Sequence, residues 1–198
     1  MKSTNQWLTK ALDKKAHFGC RPYMASIYRD TTSEIALSGY RIHCITDLPA
    51  VTAPYYQDMK IDAEYPNYRR IIEQDWTYHG TLRVGMPTRK RLKALSDLCD
   101  ISHFTRPHCN EIVIHGSRAE EDQWDLNSTG SLTLDMMTCG KDYDSGRSRY
   151  YRTQYIADAL CSDKDVVLWD IDTGSNGLLR LRSGNRLAVI MPIYRGDS

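Results

Sequence analysis

The stretch Glu64-Tyr65-Pro66-Asn67-Tyr68-Arg69-Arg70-Ile71-Ile72 (EYPNYRRII) lies between two segments that read as separate folding units. A connector is usually polar or rich in Gly and Ser. This one carries two tyrosines, a proline and two adjacent arginines, so it has aromatic area to bury and guanidinium groups to pair. On both sides of it the chain alternates helix and strand signals. Upstream, a helix is expected over residues 6–16, with Trp7, Leu8, Ala11 and Leu12 on one face and Lys10 and Lys14 on the other. Strands are expected over 23–29 and 34–45, with Asp-Thr-Thr-Ser turn chemistry between them. Residues 48–57 hold two prolines and no periodicity, which predicts a loop.

Downstream, a strand over 80–84 leads to a helix over 87–101. Pro87 suits its first position. Leu92, Leu95, Leu98 and Cys99 form its apolar stripe, and Arg89, Lys90, Arg91 and Lys93 crowd its first turns. Strands are expected over 111–115, 122–126 and 131–137, then a loop over 140–148. A last helix over 151–160 would bury Tyr151, Tyr155, Ile156, Ala159 and Leu160, leaving Gln154 and Ala157 outward. Strands over 166–171, 177–181 and 186–193 close the chain, with hairpin signals at 173–177 and 183–185. A helix followed by antiparallel strands thus recurs three times. The pattern predicts an α+β fold with helices on one face, backed by antiparallel sheet.

The 198 residues carry a net charge of +1, and 41% of them are hydrophobic, enough for a real core. The charge is segregated. Residues 1–30 hold six Lys/Arg against two Asp/Glu, and residues 66–93 seven against two. Residues 94–146 hold three against ten. If the helices share a face, their cations share it too and can attract a polyanion. The six cysteines show no paired spacing, the N-terminus lacks a signal-peptide core and no run reaches transmembrane length. These features predict reduced thiols, a cytoplasmic protein and no membrane association.

Four segments, taken in order, resemble the bacterial sliding clamp family, the β subunit of DNA polymerase III. EYPNYRRII resembles its junction motif, which reads F-P-D-Y-R-R-hydrophobic. ALSGYRIHCI and the preceding RPYMASI are similar to the A-T-D-G-H-R-L segment and the strand before it. YRTQYIADAL resembles the last helix, and NRLAVIMPIYR the closing strand. The resemblance implies half a clamp domain over residues 1–57, the junction over 58–75 and a complete last domain over 76–198. The family's first domain and half of its second have no counterpart.

The resemblance also implies a function: a non-enzymatic replication processivity factor that holds double-stranded DNA without regard to sequence, through phosphates. On this reading Lys10, Lys14, Arg89, Arg91 and Lys93 face DNA, and Arg21 and Tyr23 match positions near it. A hydrophobic groove would capture a peptide motif of a DNA polymerase or clamp loader. Matching the family's groove are Met24, Gly39, Tyr40, Arg41 and Ile42, then Pro66, Arg70 and Ile71, then Arg152 and Tyr155, then Val189, Ile190, Met191, Pro192 and Ile193. The family's Thr-Asp-Gly-His-Arg is Leu37-Ser38-Gly39-Tyr40-Arg41 here, and its Asn before the helix Tyr is Arg152. A clamp ring carries twelve helices, so three per chain implies a homo-oligomer, a tetrameric ring. So compact a clamp suits a bacterial or phage-infected cell.

Two alternatives stand beside this reading. One is a clamp-derived adaptor that binds proteins without encircling DNA. The other is an unrelated α+β metal-dependent nuclease using Asp165, Asp170 and Asp172, although strand alternation alone accounts for polar residues there. His103, His108, Cys109 and Cys139 fit no standard zinc spacing, and no metal or cofactor is expected. Gly174-Ser175-Asn176-Gly177 is turn chemistry rather than a phosphate loop, because no helix follows it.

Overall fold

A computed structural model describes residues 2–13, 15–16, 21–57, 61, 63–120, 123–124, 129–141, 149–160 and 165–193. The chain divides into two compact units. The first comprises Met1–Asp75 and Arg182–Val189, and the second Trp76–Leu181 and Ile190–Ser198.

The first unit begins with helix α1 (Lys2–Thr9). Lys10 and Ala11 form a turn directly after it, so the regular helix ends well before residue 16. Trp7, Leu8 and Ala11 are buried as expected, and α1 packs on strands β2 (Glu34–Leu37) and β3 (Arg41–Ile45). The ring of Trp7 stacks on His43 at 4.4 Å, and its carbonyl meets His43 Nδ1 at 2.9 Å. The segment expected as one strand over 23–29 is instead a 3-10 turn (Pro22–Ala25) followed by β1 (Tyr28–Arg29). Proline at the first helical position favours that turn. The expected strand over 34–45 is a hairpin, with Ser38-Gly39-Tyr40 turning between β2 and β3. Inside the expected loop, β4 (Tyr55–Tyr56) pairs with β1. The junction supplies one helical turn, α2 (Arg69–Ile72).

The second unit is built on strand β5 (Trp76–Val84), helix α3 (Met86–Leu98), β6 (Ile101–His108) and β7 (Glu111–Ser117). A small ribbon, β8 (Ala119–Glu120) and β9 (Gln123–Trp124), precedes β10 (Gly130–Cys139). Then come β11 (Tyr151–Arg152), helix α4 (Thr153–Leu160), β12 (Val167–Gly174) and β13 (Leu179–Ser183). The strands lie side by side in the order β11-β6-β7-β10-β5-β12-β13, and the paired strands are antiparallel. Alternation is clean: Ile112 and Ile114 on β7 and Leu132, Leu134 and Met136 on β10 are buried. Helices α3 and α4 pack together and cover β6, β7 and β10.

Three side chains depart from their expected stripes. Leu98 is exposed where α3 ends, and Ala157 on α4 is buried while Tyr155 is half-exposed. The chain returns to the first unit through a hairpin turn in which Gly184 has φ 56°, a left-handed value that favours glycine. Strand β14 (Arg186–Ile190) then lies beside β3, with Thr46 N donating to Asn185 O at 2.8 Å. Among the described residues no helix is long and apolar enough to cross a membrane.

Candidate functional site

The junction is an ordered aromatic seat. Tyr65 is buried, with its ring stacked on Tyr28 at 4.2 Å and 7°. Tyr23 and Tyr68 present their edges to it at 6.1 and 6.0 Å. Tyr68 donates its hydroxyl to Asp30 Oδ2 at 2.5 Å, and Arg69 Nη2 donates to the same oxygen at 2.8 Å. Burial alone would raise the Asp30 carboxyl. The hydrogen bonds from Tyr68, Arg69 and the Thr31 amide outweigh it and hold the group at about 2. The arginine pair is therefore split by role. Arg69 fastens the junction to β1, whereas Arg70 is exposed and has no ion pair among the described residues.

The residues matched to the family's groove fall in both units. In the first, Met24, Ile42 and Val189 are buried in the core. Tyr40 is 63% exposed beside the exposed Gly39. Arg41 donates to the Lys10 carbonyl, while Pro66 and Ile71 are half-buried. In the second unit, Ile190 is fully buried. Met191, Pro192 and Ile193 are half-buried, and Ile193 N donates to Tyr150 O at 2.7 Å. That bond brings the closing segment beside the strand that carries the exposed Arg152, one turn ahead of the half-buried Tyr155.

Of the residues expected to face DNA, Arg21 and Arg91 are exposed. Lys93 is exposed and pairs with Asp97 at 3.1 Å one helical turn on. Lys10 is half-buried, and Tyr23 packs against Tyr65. Lys14 lies outside the described residues. Arg89 must be corrected: it is buried, and its Nη1 donates to the Asp165 carbonyl at 2.7 Å. Its spacing was the available signal, because Arg89, Leu92 and Leu95 fall on one stripe at i, i+3 and i+6. Lys90, exposed beside Arg91, joins the cations instead.

Several other polar candidates are tied up in the sheet. Asp172 is 2% exposed and pairs with Arg180 at 2.8 Å, and that guanidinium lies over the Trp76 ring at 4.5 Å. Asp170 accepts from Thr81 at 2.7 Å. Buried His79 meets Thr173 Oγ1 through Nε2 at 2.8 Å and the Lys141 carbonyl through Nδ1 at 3.0 Å. Burial pushes its pKa down. His103 stacks on His115 at 4.9 Å, and burial followed by that neighbour lowers it too. Among the described residues no three His, Cys, Asp or Glu side chains gather to hold a metal ion.

No protein-family model and no curated protein matches the sequence. Solved structures do. The DNA polymerase III β subunit of Borrelia burgdorferi is 13% identical, with a TM-score of 0.70 over 98% of this chain and 61% of that one. The β subunit of Thermotoga maritima is 12% identical, with a TM-score of 0.69 over 98% and 63%. The DNA polymerase sliding clamp of Pseudomonas aeruginosa is 12% identical, with a TM-score of 0.66 over 98% and 65%. The chain thus has the sliding-clamp fold and spans less than two thirds of the length of those proteins.

Proposed function

We propose that this chain is a sliding-clamp-like processivity factor for DNA replication. Several copies hold duplex DNA by its phosphates, and the chain captures a short apolar peptide from a DNA polymerase or clamp loader. One observation carries the reading: the clamp fold extends over nearly the whole chain, from α1 to the closing segment. The cations for phosphate are the exposed Arg21, Lys90 and Arg91. Lys93 joins them at little cost, because an exposed i,i+4 pair contributes only about 0.2–1 kcal/mol and exchanges readily for phosphate. In the second unit, half-buried Met191, Pro192 and Ile193 offer deformable apolar surface to a peptide. Exposed Arg152 of the same unit suits the peptide's backbone carbonyls or an acidic flank. The role calls for no cofactor and no bond-breaking step, and its place is the cytoplasm, with the DNA.

Fluorescence anisotropy on a labelled duplex across a salt series tests the DNA half. The expected binding weakens steeply with salt, and reversing Lys90 and Arg91 to Glu lowers affinity at least tenfold. Unchanged affinity in the double variant defeats it. A second reading, the protein-binding adaptor that does not encircle DNA, is favoured by one observation. With Arg89 buried and Lys93 paired, α3 offers fewer free cations than its sequence counts. On that reading a Leu/Phe-rich peptide with an acidic flank still binds, Arg152→Glu weakens it, and the duplex is ignored at all salt concentrations.

A further inference from the structure

Four cysteines are described, all as free thiols, and they sort into two kinds. Cys44 and Cys99 are buried, whereas Cys109 and Cys139 are exposed. The exposed two lie some thirty residues apart in sequence, yet the sheet brings them together. Cys109 sits in the turn between β6 and β7, and Cys139 ends β10, which pairs with β7. Met136 N donates to Asn110 O at 2.8 Å and ties that turn to β10. The register therefore sets the Cys109 turn beside the end of β10 that carries Cys139, and the two thiols influence each other electrostatically.

Arg106 holds the arrangement from β6. Its Nη2 donates to Cys139 Sγ at 2.5 Å, and its Nη1 donates to the Lys141 carbonyl at 2.9 Å. The end of β10 is therefore clamped beside the turn, with a permanent cation on the sulfur. Neither thiol belongs to the DNA or peptide residues discussed above. A buried structural cysteine is inert, whereas an accessible thiol beside a second thiol and a cation is the setting of a reversible disulfide.

We propose that Cys109 and Cys139 form an intramolecular disulfide on exposure to hydrogen peroxide, making this corner of the second unit a thiol modification site. One thiolate attacks the peroxide oxygen. The O–O bond breaks, that sulfur becomes a sulfenic acid, and the other oxygen leaves as water after taking a proton. The second sulfur then attacks the sulfenic sulfur, the S–O bond breaks and a second water departs. Two S–H bonds and one O–O bond are lost, and one S–S bond forms. The two sulfurs give up two electrons, which the peroxide accepts. Desolvation and then the neighbouring Cys109 thiol keep the Cys139 thiol above its ordinary pKa, against the pull of Arg106. The reaction therefore accelerates as pH rises above neutrality. The closed loop of about thirty residues restricts the unfolded chain, so the oxidised protein melts higher by about 5 °C.

The test treats the folded chain with hydrogen peroxide and maps its peptides without reduction. The expected product is a Cys109–Cys139 linked peptide, lighter by two hydrogens, that dithiothreitol reverses, while Cys44 and Cys99 remain thiols. In Cys109→Ser the sulfenic acid on Cys139 persists and is trapped by dimedone. Overturning results are unlinked thiols after treatment, separate sulfinic acids at the two positions, or disulfides that join different chains.

Discussion

Each unit anchors its charged and polar groups, and the two do so with different chemistry. In the first, a ring of tyrosines surrounds Tyr65, and a single carboxylate, Asp30, gathers Tyr68 and Arg69. In the second, β5, β12 and β13 bury His79, Thr173 and the Asp172–Arg180 pair within the sheet. The first unit is fastened by an acid that stays ionised under acidic conditions. The second relies on histidines that must stay neutral. The difference shows where each unit is weak: to loss of aromatic area in one, to loss of a buried ion pair or to protonation in the other.

The largest expected effect removes the centre of the tyrosine ring. Tyr65→Ala costs about 3–5 kcal/mol, and peptide-resolved hydrogen exchange should show protection lost in Met1–Asp75 while β7 and β10 keep theirs. Equal loss in both units would erase the contrast. Next is Asp172→Asn, which leaves the Arg180 guanidinium partly buried without its carboxylate. Loss of about 2–3 kcal/mol is expected in denaturant unfolding, with the exchange change centred on β12 and β13.

Acid should separate the units by range. His79 and His103 are held below their ordinary value, so below about pH 6.5 the unfolded chain takes up protons that the folded chain refuses. Stability of the second unit falls over that window. The Asp30 carboxyl is depressed, so its contribution is complete above about pH 4 and disappears as pH falls toward 2. Exchange at pH 5, corrected for intrinsic rates, should therefore rise in β5 and β6 and not in the junction. Asp30→Asn costs about 1–2 kcal/mol and flattens the acid limb of the first unit. The smallest effect is Lys93→Ala: less than about 0.5 kcal/mol of stability for loss of its exposed partner Asp97, whatever it does to DNA affinity.

How far the sequence disclosed the fold follows from where apolar side chains carry the pattern. Leu92 with Leu95, Ile112 with Ile114 and Leu132 with Leu134 mark α3, β7 and β10 directly. Strand β6 was missed because ISHFTRPH is mostly polar. Its buried positions include Ser102, satisfied by Thr153 at 2.8 Å, and Pro107 falls where the register with β7 shifts, so its missing N–H breaks no ladder bond. The 3-10 turn after Pro22 and the hairpin at Ser38–Tyr40 depend on local backbone choices that a run of strand-forming residues conceals. At the candidate site, the junction's order was legible in its two tyrosines. That Arg69 is structural and Arg70 is not depends on Asp30, more than thirty residues upstream, and no local pattern reveals it. Arg89 was misread because charge was counted without regard to its place on the helical stripe.

The proposed function has several chains holding the DNA together, so the mass of the particle is its most direct test. Size-exclusion chromatography with light scattering at micromolar concentration measures this directly. A ring assembly gives the mass of four chains. A particle with the mass of a single chain contradicts it.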